Sequence, residues 1–308
     1  MTPDLVLLGN LLVDDVVFAD GRTRMGQAGG AILYGSLATA LWGARAGCVS
    51  LLGDDYPLVT LDSLHSRGVS MDGVHRLRAN GVRTWLLYEN GIRHVVHRLG
   101  CPSHEAVSPR PEHVPLPWRT ARAFHLAPMP LETQRALVSA IREWESPDHP
   151  AFVSLDPHLP ISAETLPTYR DLLSGVDAFF PSDDELRLPD AGHKVEATLA
   201  SLASGRLRFV AWKRGAAGGA LYDARERRLR EWPPHADRVE DPTGAGDAFM
   251  AGFVTAHMEG QIVERCIRRG VVTAAIAIEA WGAEGLLAAT REGAAARLAA
   301  WVASSVRS

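Results

Sequence analysis

Short apolar runs recur along the chain at Leu5 to Leu8, Val49 to Leu52, Phe124 to Leu126, Phe152 to Leu155, Ala178 to Phe180 and Phe209 to Trp212. They alternate with longer stretches whose apolar positions fall at helical spacing. The clearest of these are Ala31 to Trp42, Thr133 to Glu145, Lys194 to Ala203, Asp247 to Met258, Ile262 to Ala280 and Glu292 to Val302. The alternation predicts a mainly parallel sheet covered by helices on both faces, a three-layer α/β/α arrangement. Two segments break the rhythm. Asp15 to Arg24 and Gly81 to Leu99 read as antiparallel ribbon, the second with Glu-Asn-Gly at 89–91 as a hairpin turn. A small sheet inserted near the start of such a domain is placed to act as a lid over a cleft. Ser103 to Trp118 and Leu186 to His193, rich in proline or polar residues, read as connections. The expectation is one domain over residues 1–308, with lid strands from about 15–24 and 81–99.

Composition narrows the function. The chain has 308 residues, 46% apolar and 22% charged, ample for a buried core. A formal net charge of −4 with no basic block argues against nucleic acid as a partner. Cys48, Cys101 and Cys266 are far apart and form no CxxC pair, so neither a disulfide framework nor a zinc site is expected. The first residues, MTPDLVLLGNLLVDD, lack a basic start, and their apolar run is cut by Gly9, Asn10 and Asp14; they read as a strand and not a signal peptide. No run of about 18 apolar residues suggests a membrane span. A cytoplasmic protein with no membrane partner is expected.

The stretch VEDPTGAGDAFMAGF at Val239 to Phe253 sets bare backbone beside a carboxylate where a polar turn meets an apolar helix. A helix start carries unpaired N–H groups and partial positive charge, so a turn of Gly244, Ala245 and Gly246 can bring those amides close to a phosphate. Thr243 reads as the N-cap. Asp247 then falls in the first turn, where it either complements the helix dipole or does chemistry.

With the order of elements in place, DPTGAGD at Asp241 to Asp247 resembles the signature of the ribokinase-like, or PfkB-type, sugar and nucleoside kinases. The resemblance continues along the chain. GNLLVD at Gly9 to Asp14 looks like that family's first strand, ending in an aspartate that holds substrate hydroxyls. Gly29 and Gly30, then ARAGCVSLLGDD at Ala44 to Asp55, look like its first signature. SLDPH at Ser154 to His158 resembles its middle strand, DAFFPSDDE at Asp177 to Glu185 the segment ending in its metal-associated glutamate, and WKRGAAGGALYD at Trp212 to Asp223 the strand and turn bordering the nucleotide. A ribokinase-like fold with a small β-sheet lid is implied, and with it an ATP-dependent phosphotransferase acting on a hydroxyl of a small sugar, sugar acid, polyol or nucleoside.

Phosphoryl transfer needs alignment and charge stabilisation more than covalent help. The amides of Ala245, Gly246 and Asp247 in the turn that Gly244 opens can face the transferring phosphate, and Asp247 can accept the proton of the attacking hydroxyl. The resemblance implies ATP against Lys213, Gly215, Gly218, Asp241 and Thr243, and Mg2+ held by Glu185, mostly through water. It also implies a monovalent cation such as K+ at Asp241 and Thr243, although a plain cap explains Thr243 equally. Glu185 also fits a solvated acidic helix start, and Ser182 stands where the family usually has asparagine. For the acceptor, Asp14 can accept two hydroxyls, and Gly29 and Gly30 let backbone approach a sugar ring; a strand-end turn and a tight turn are the plainer readings. Tyr34 occupies a position where sugar-specific members often carry asparagine. Trp85, Tyr88, Arg93, His94, His97 and Arg98 on the ribbon can stack on a base, meet an acid group or protect an edge. Exposed lid edges suggest a homodimer through the lid. Two other classes compete. A non-catalytic ligand-binding protein on the same fold is one. A dinucleotide-dependent oxidoreductase is the other, against which Phe249 stands where the fingerprint needs its last glycine.

Overall fold

The computed structural model describes residues 1–89, 92–187 and 195–305. Among these, nine strands form one sheet in the order Arg228–Trp232, Gly219–Asp223, Phe209–Lys213, Ala178–Phe179, Phe152–Leu155, Ala123–Leu126, Leu5–Leu8, Ala46–Leu52 and Ser70–Arg76. The pairs from Phe209–Lys213 through to Ser70–Arg76 are parallel; the two strands at the other edge run antiparallel. Leu5 pairs with both Ala46 and Ala123, which puts the first strand inside the sheet, two strands from the edge at Ser70–Arg76.

Alternate residues of a strand face opposite layers. Leu5 and Leu7 join a core with the helices Ala31–Leu41, Ala245–Met258 and Val263–Ile278, while Val6 and Leu8 join a second core with Leu131–Trp144, Leu166–Ser174 and Val195–Leu202. This is a three-layer ribokinase-like fold, as the alternation predicts. Helices Ala245–Met258 and Val263–Ile278 pack closely because each presents glycine. A Cβ on Gly252 would lie 2.5 Å from Thr273 Oγ1, and one on Gly270 would lie 2.8 Å from Phe249 O. Both helices bury small residues where they meet, so larger side chains would force them apart.

A second sheet of four strands stands beside the first, in the order Thr23–Gly29, Leu12–Phe18, Arg83–Glu89 and Ile92–His97. Its first strand begins three residues before the expected ribbon, so Asp14 lies within this small sheet and not at the end of the core's first strand, which stops at Leu8. Leu12–Phe18 runs antiparallel to Thr23–Gly29 but parallel to Arg83–Glu89. The expected hairpin turn at 89–91 and the connection from 188 onward fall outside the described residues. The connection 103–118 carries short helical turns, among them His104–Val107. Ser70–Arg76, Gly219–Asp223 and Arg228–Trp232 complete the edges of the large sheet. Among the described residues, no helix is long and apolar enough to cross a membrane.

Candidate active site

The parallel strands end on one side of the sheet, where an open α/β fold places its ligands. Helix Ala245–Met258 begins there. Its N-cap is Gly244, in the left-handed conformation with φ 79°, and not Thr243 as expected. Two things demand glycine at 244: the positive φ, and the ring of Tyr34, whose Cδ1 would lie 2.1 Å from a Cβ. Thr243 instead shares a 2.8 Å hydrogen bond through its Oγ1 with the Tyr88 hydroxyl of the small sheet. Asp241 braces the turn: one carboxylate oxygen accepts from Thr243 N at 2.9 Å and the other from Gly282 N at 2.9 Å.

The amides at this helix start are nearly free. Ala245 N reaches Pro242 O only at 3.4 Å, and among the described residues no backbone carbonyl accepts from Gly246 N or Asp247 N. Asp247, the third helical residue, stands beside them. Burial raises its carboxyl above the ordinary range, while Lys213 and Arg93 favour the charged form. Such an acid is a better proton acceptor than an exposed one.

Lys213, at the end of its strand, meets this turn. A Cβ on Gly246 would lie 2.9 Å from Lys213 Nζ, so the amine sits directly against this glycine. Burial works against the charge on Lys213, but Asp156, Glu185 and Asp247 outweigh it and raise its affinity for the proton. Its nearest partner is Asp156 Oδ1 at 3.1 Å. Asp156 sits just beyond the strand Phe152–Leu155; the sequence reading quoted it within SLDPH but gave it no role. An acid directly after a buried strand is the signal that could have marked it. Behind it lies His125, its Nδ1 3.0 Å from Ser154 Oγ and its Nε2 3.9 Å from Asp156 Oδ2. Burial and the nearby Lys213 push His125 down to about 3, so it is neutral.

Glu185 is half-buried near the same end of the sheet. Its Oε2 accepts from Ser182 N at 2.8 Å, and its own carbonyl accepts from Ile161 N at 2.7 Å, which ties it to the short strand pair Ile161–Ser162 and Leu186–Arg187. The other carboxylate oxygen makes no hydrogen bond among the described residues. One such oxygen suits a magnesium ion that keeps most of its waters. Gly215, with φ 50°, and Gly218, with φ 79°, form the turn after Lys213, and a Cβ on Gly218 would meet Trp232 O at 2.0 Å. Gly218 thus has a packing reason to be glycine, whereas Gly215 has open space around it and only its positive φ favours glycine.

On the small sheet, Asp14 is buried and accepts a hydrogen bond from the Thr84 hydroxyl. Burial pushes its carboxyl up to about 7, against Thr84 and Arg93, which favour ionisation. Gly29 lies against it and Gly30 against the backbone of Asn10 and Leu11, and each needs to be glycine. A Cβ on Gly29 would fall 1.9 Å from Asp14 Oδ2; Gly30 has φ 100° and no room against Asn10 O. Tyr34 is buried between the two halves of the site, and Asp14, Asp241 and Asp247 all add to the burial that keeps its hydroxyl protonated. The structure thus brings Asp14, Gly29, Gly30, Asp241, Thr243, Gly244, Asp247 and Lys213 to one cleft edge.

Comparison with known proteins agrees with this geometry. The model for the pfkB family carbohydrate kinases matches residues 14–289. A cytidine kinase of Thermococcus kodakarensis is 29% identical over 292 residues, covering 91% of this chain and 97% of that protein. Among solved structures, a ribokinase from Giardia lamblia superposes with a TM-score of 0.79 at 17% identity, covering 98% of this chain and all of the other. A ribokinase II from E. coli in complex with ATP and Mg2+ gives 0.72 at 19% identity, covering 97% and 99%.

Proposed function

Because the chain belongs to the pfkB family of carbohydrate kinases, we propose that it transfers the terminal phosphate of ATP to a hydroxyl of a nucleoside or small sugar, with Asp247 as general base. One observation carries this reading. Asp247, the amide of Gly246, which no backbone carbonyl accepts among the described residues, and the amine of Lys213 converge at the start of helix Ala245–Met258. The amides and the ammonium stabilise charge as it builds on the phosphate oxygens, and Asp247 takes the proton of the attacking hydroxyl.

The turn at Gly215 to Gly218 is proposed to border the nucleotide. Glu185 would hold Mg2+ through water, and the ion would neutralise phosphate charge. A monovalent cation at Asp241 and Thr243 has less support, since both Asp241 oxygens accept backbone amides and Thr243 Oγ1 is bonded to Tyr88. Asp14 is proposed to receive acceptor hydroxyls, and Gly29 and Gly30 to let the backbone approach the acceptor's ring. The small sheet is proposed as a lid over the cleft of a single kinase domain. Its outer strand Ile92–His97 exposes Val95 and Val96, and pairing of two copies through that edge is a further proposal, tested by the solution mass. A relative matched nearly end to end is named a cytidine kinase, which favours a nucleoside acceptor.

The test is release of ADP from ATP and Mg2+ with cytidine, uridine, adenosine, ribose, fructose, 2-keto-3-deoxygluconate and inositol in turn. Acceptor-dependent ADP release is expected with at least one nucleoside or sugar. Release with none would leave the intact Asp247 and its amides without a reaction and would favour a non-catalytic binding role.

A further inference from the structure

Three imidazoles from three parts of the chain meet on the cleft side of the sheet. His97 ends the outer strand of the small sheet, His104 begins the short helix after it, and His158 follows Asp156 beyond the strand Phe152–Leu155. The rings of His97 and His104 are 4.7 Å apart, those of His104 and His158 5.5 Å, tilted by 57° and 31°. The group is tied to the proposed acceptor residues on both sides. His97 pairs with Thr84, whose hydroxyl donates to Asp14, and His158 lies two residues from the carboxylate that holds Lys213. Neither the phosphate chemistry nor the fold uses these three rings.

His104 is the unexplained member. Both of its ring nitrogens are shielded from solvent and make no hydrogen bond. Leaving buried polar atoms unpaired is costly, and each such case needs a reason. A metal site is not that reason, because among the described residues no group of three or more His, Cys, Asp or Glu is arranged to hold an ion. Burial, with His97 and His158 adding to it, lowers His104 to about 4. The ring is therefore neutral near pH 7 and offers one N–H donor beside one bare nitrogen acceptor. Polyol hydroxyls are matched better by a carboxylate such as Asp14. A donor and an acceptor on one ring, flanked by two further aromatic faces, match a flat heterocycle that carries both functions on its edge. His97 of the small sheet packs against the His104 ring.

We infer that His97, His104 and His158 form the subsite for an uncharged nucleobase on the acceptor, with His104 reading its polar edge. This rests on the nucleoside reading proposed above and narrows it. His104 is a specificity residue and takes no part in the transfer step.

The probe is cytidine, with uridine and adenosine beside it, and two measurements separate this inference from the kinase reading. Binding is measured by calorimetry without ATP for the wild type, His104→Phe and His104→Gln, each checked for folding by its thermal transition. At least one nucleoside is expected to bind the wild type. His104→Phe, which keeps the ring and loses both nitrogens, should weaken that binding by about ten-fold to a hundred-fold, with His104→Gln recovering part of it. ADP release is then measured on the same proteins. The KM for that nucleoside should rise in His104→Phe with kcat within about three-fold and the KM for ATP unchanged. If His104→Phe does not fold, His158→Phe takes its place, with the same effect expected. Nucleoside binding or KM unaffected by these changes would overturn the inference while leaving the kinase reading intact, as would phosphorylation of ribose by a wild type that binds no nucleoside. Histidine-dependent binding without any ADP release would uphold the subsite and remove the kinase reading.

Discussion

Replacing Asp14 by asparagine separates the electrostatics of the acceptor side from the chemistry. The carboxyl is 4% exposed, and burial moves it from 3.8 to about 7. Between those values the folded protein keeps a proton that the unfolded chain has released, so stability falls as pH rises through this window. The contribution of the carboxyl is intact below about pH 4 and lost above about pH 7. At 1.36 kcal/mol per pH unit, the full loss reaches about 4 kcal/mol at alkaline pH. Asparagine keeps the size and an oxygen to accept from Thr84 but has nothing to ionise. The variant should therefore gain about 2 to 3 kcal/mol on the wild type between pH 5 and pH 8. Urea unfolding of both proteins across that range, compared at matched slopes, measures the gain. Distant titrating groups cancel in the difference. A gap that stays constant or narrows as pH rises would refute the burial argument. The same substitution should raise the acceptor KM, so the stability gain would come with a loss of function.

Asp247→Asn should lower kcat by about 10² to 10⁴ while ATP binding is largely kept; a kcat within a few-fold and a stability loss of about 0.3 to 1 kcal/mol would reduce Asp247 to a dipole partner. Lys213→Met should lower kcat by about 10² to 10³ through loss of the cation beside Gly246, and an unchanged kcat in steady-state assays would remove it from the phosphate site. Gly252→Val, which drives methyl groups into Thr273 and the Arg269 carbonyl, should cost about 1 to 3 kcal/mol in denaturant unfolding. A neutral result there would mean that the two helices do not meet as described.

The parts of the fold legible in the sequence are those with burial on two sides. Leu5–Leu8 is apolar throughout, and Phe152–Leu155 apolar but for the buried Ser154, because helices cover both faces, and the structure keeps the bounds that the sequence predicts for both. Edge strands were harder. Ser70–Arg76 carries Asp72, His75 and Arg76, and Arg228–Trp232 is mostly charged, because each has a side open to water. Asp14 was read as the end of the first strand because GNLLVDD looks continuous; Gly9 to Leu11 in fact lead the chain out of one sheet and into the other. The GAG turn could be seen in the sequence because its backbone demands are local. The Thr84 contact of Asp14, the Lys213 contact of Asp156 and the Tyr88 contact of Thr243 could not, since each depends on segments more than fifty residues apart being brought together.

Asp14, Thr84, Arg93 and His97 all lie on the small sheet, while Lys213, Gly246 and Asp247 lie on the large sheet and its helix. The two sets are joined at Tyr34, at the Tyr88–Thr243 hydrogen bond and by the peptide links around Gly9 and Gly30. On the proposed reading, substitutions that accumulate on the small sheet would retune which alcohol is accepted without touching the residues proposed to meet the phosphate. Divergence among descendants of one ancestral gene would follow that seam, and a chimera exchanged along it would inherit its acceptor from one parent and its nucleotide handling from the other.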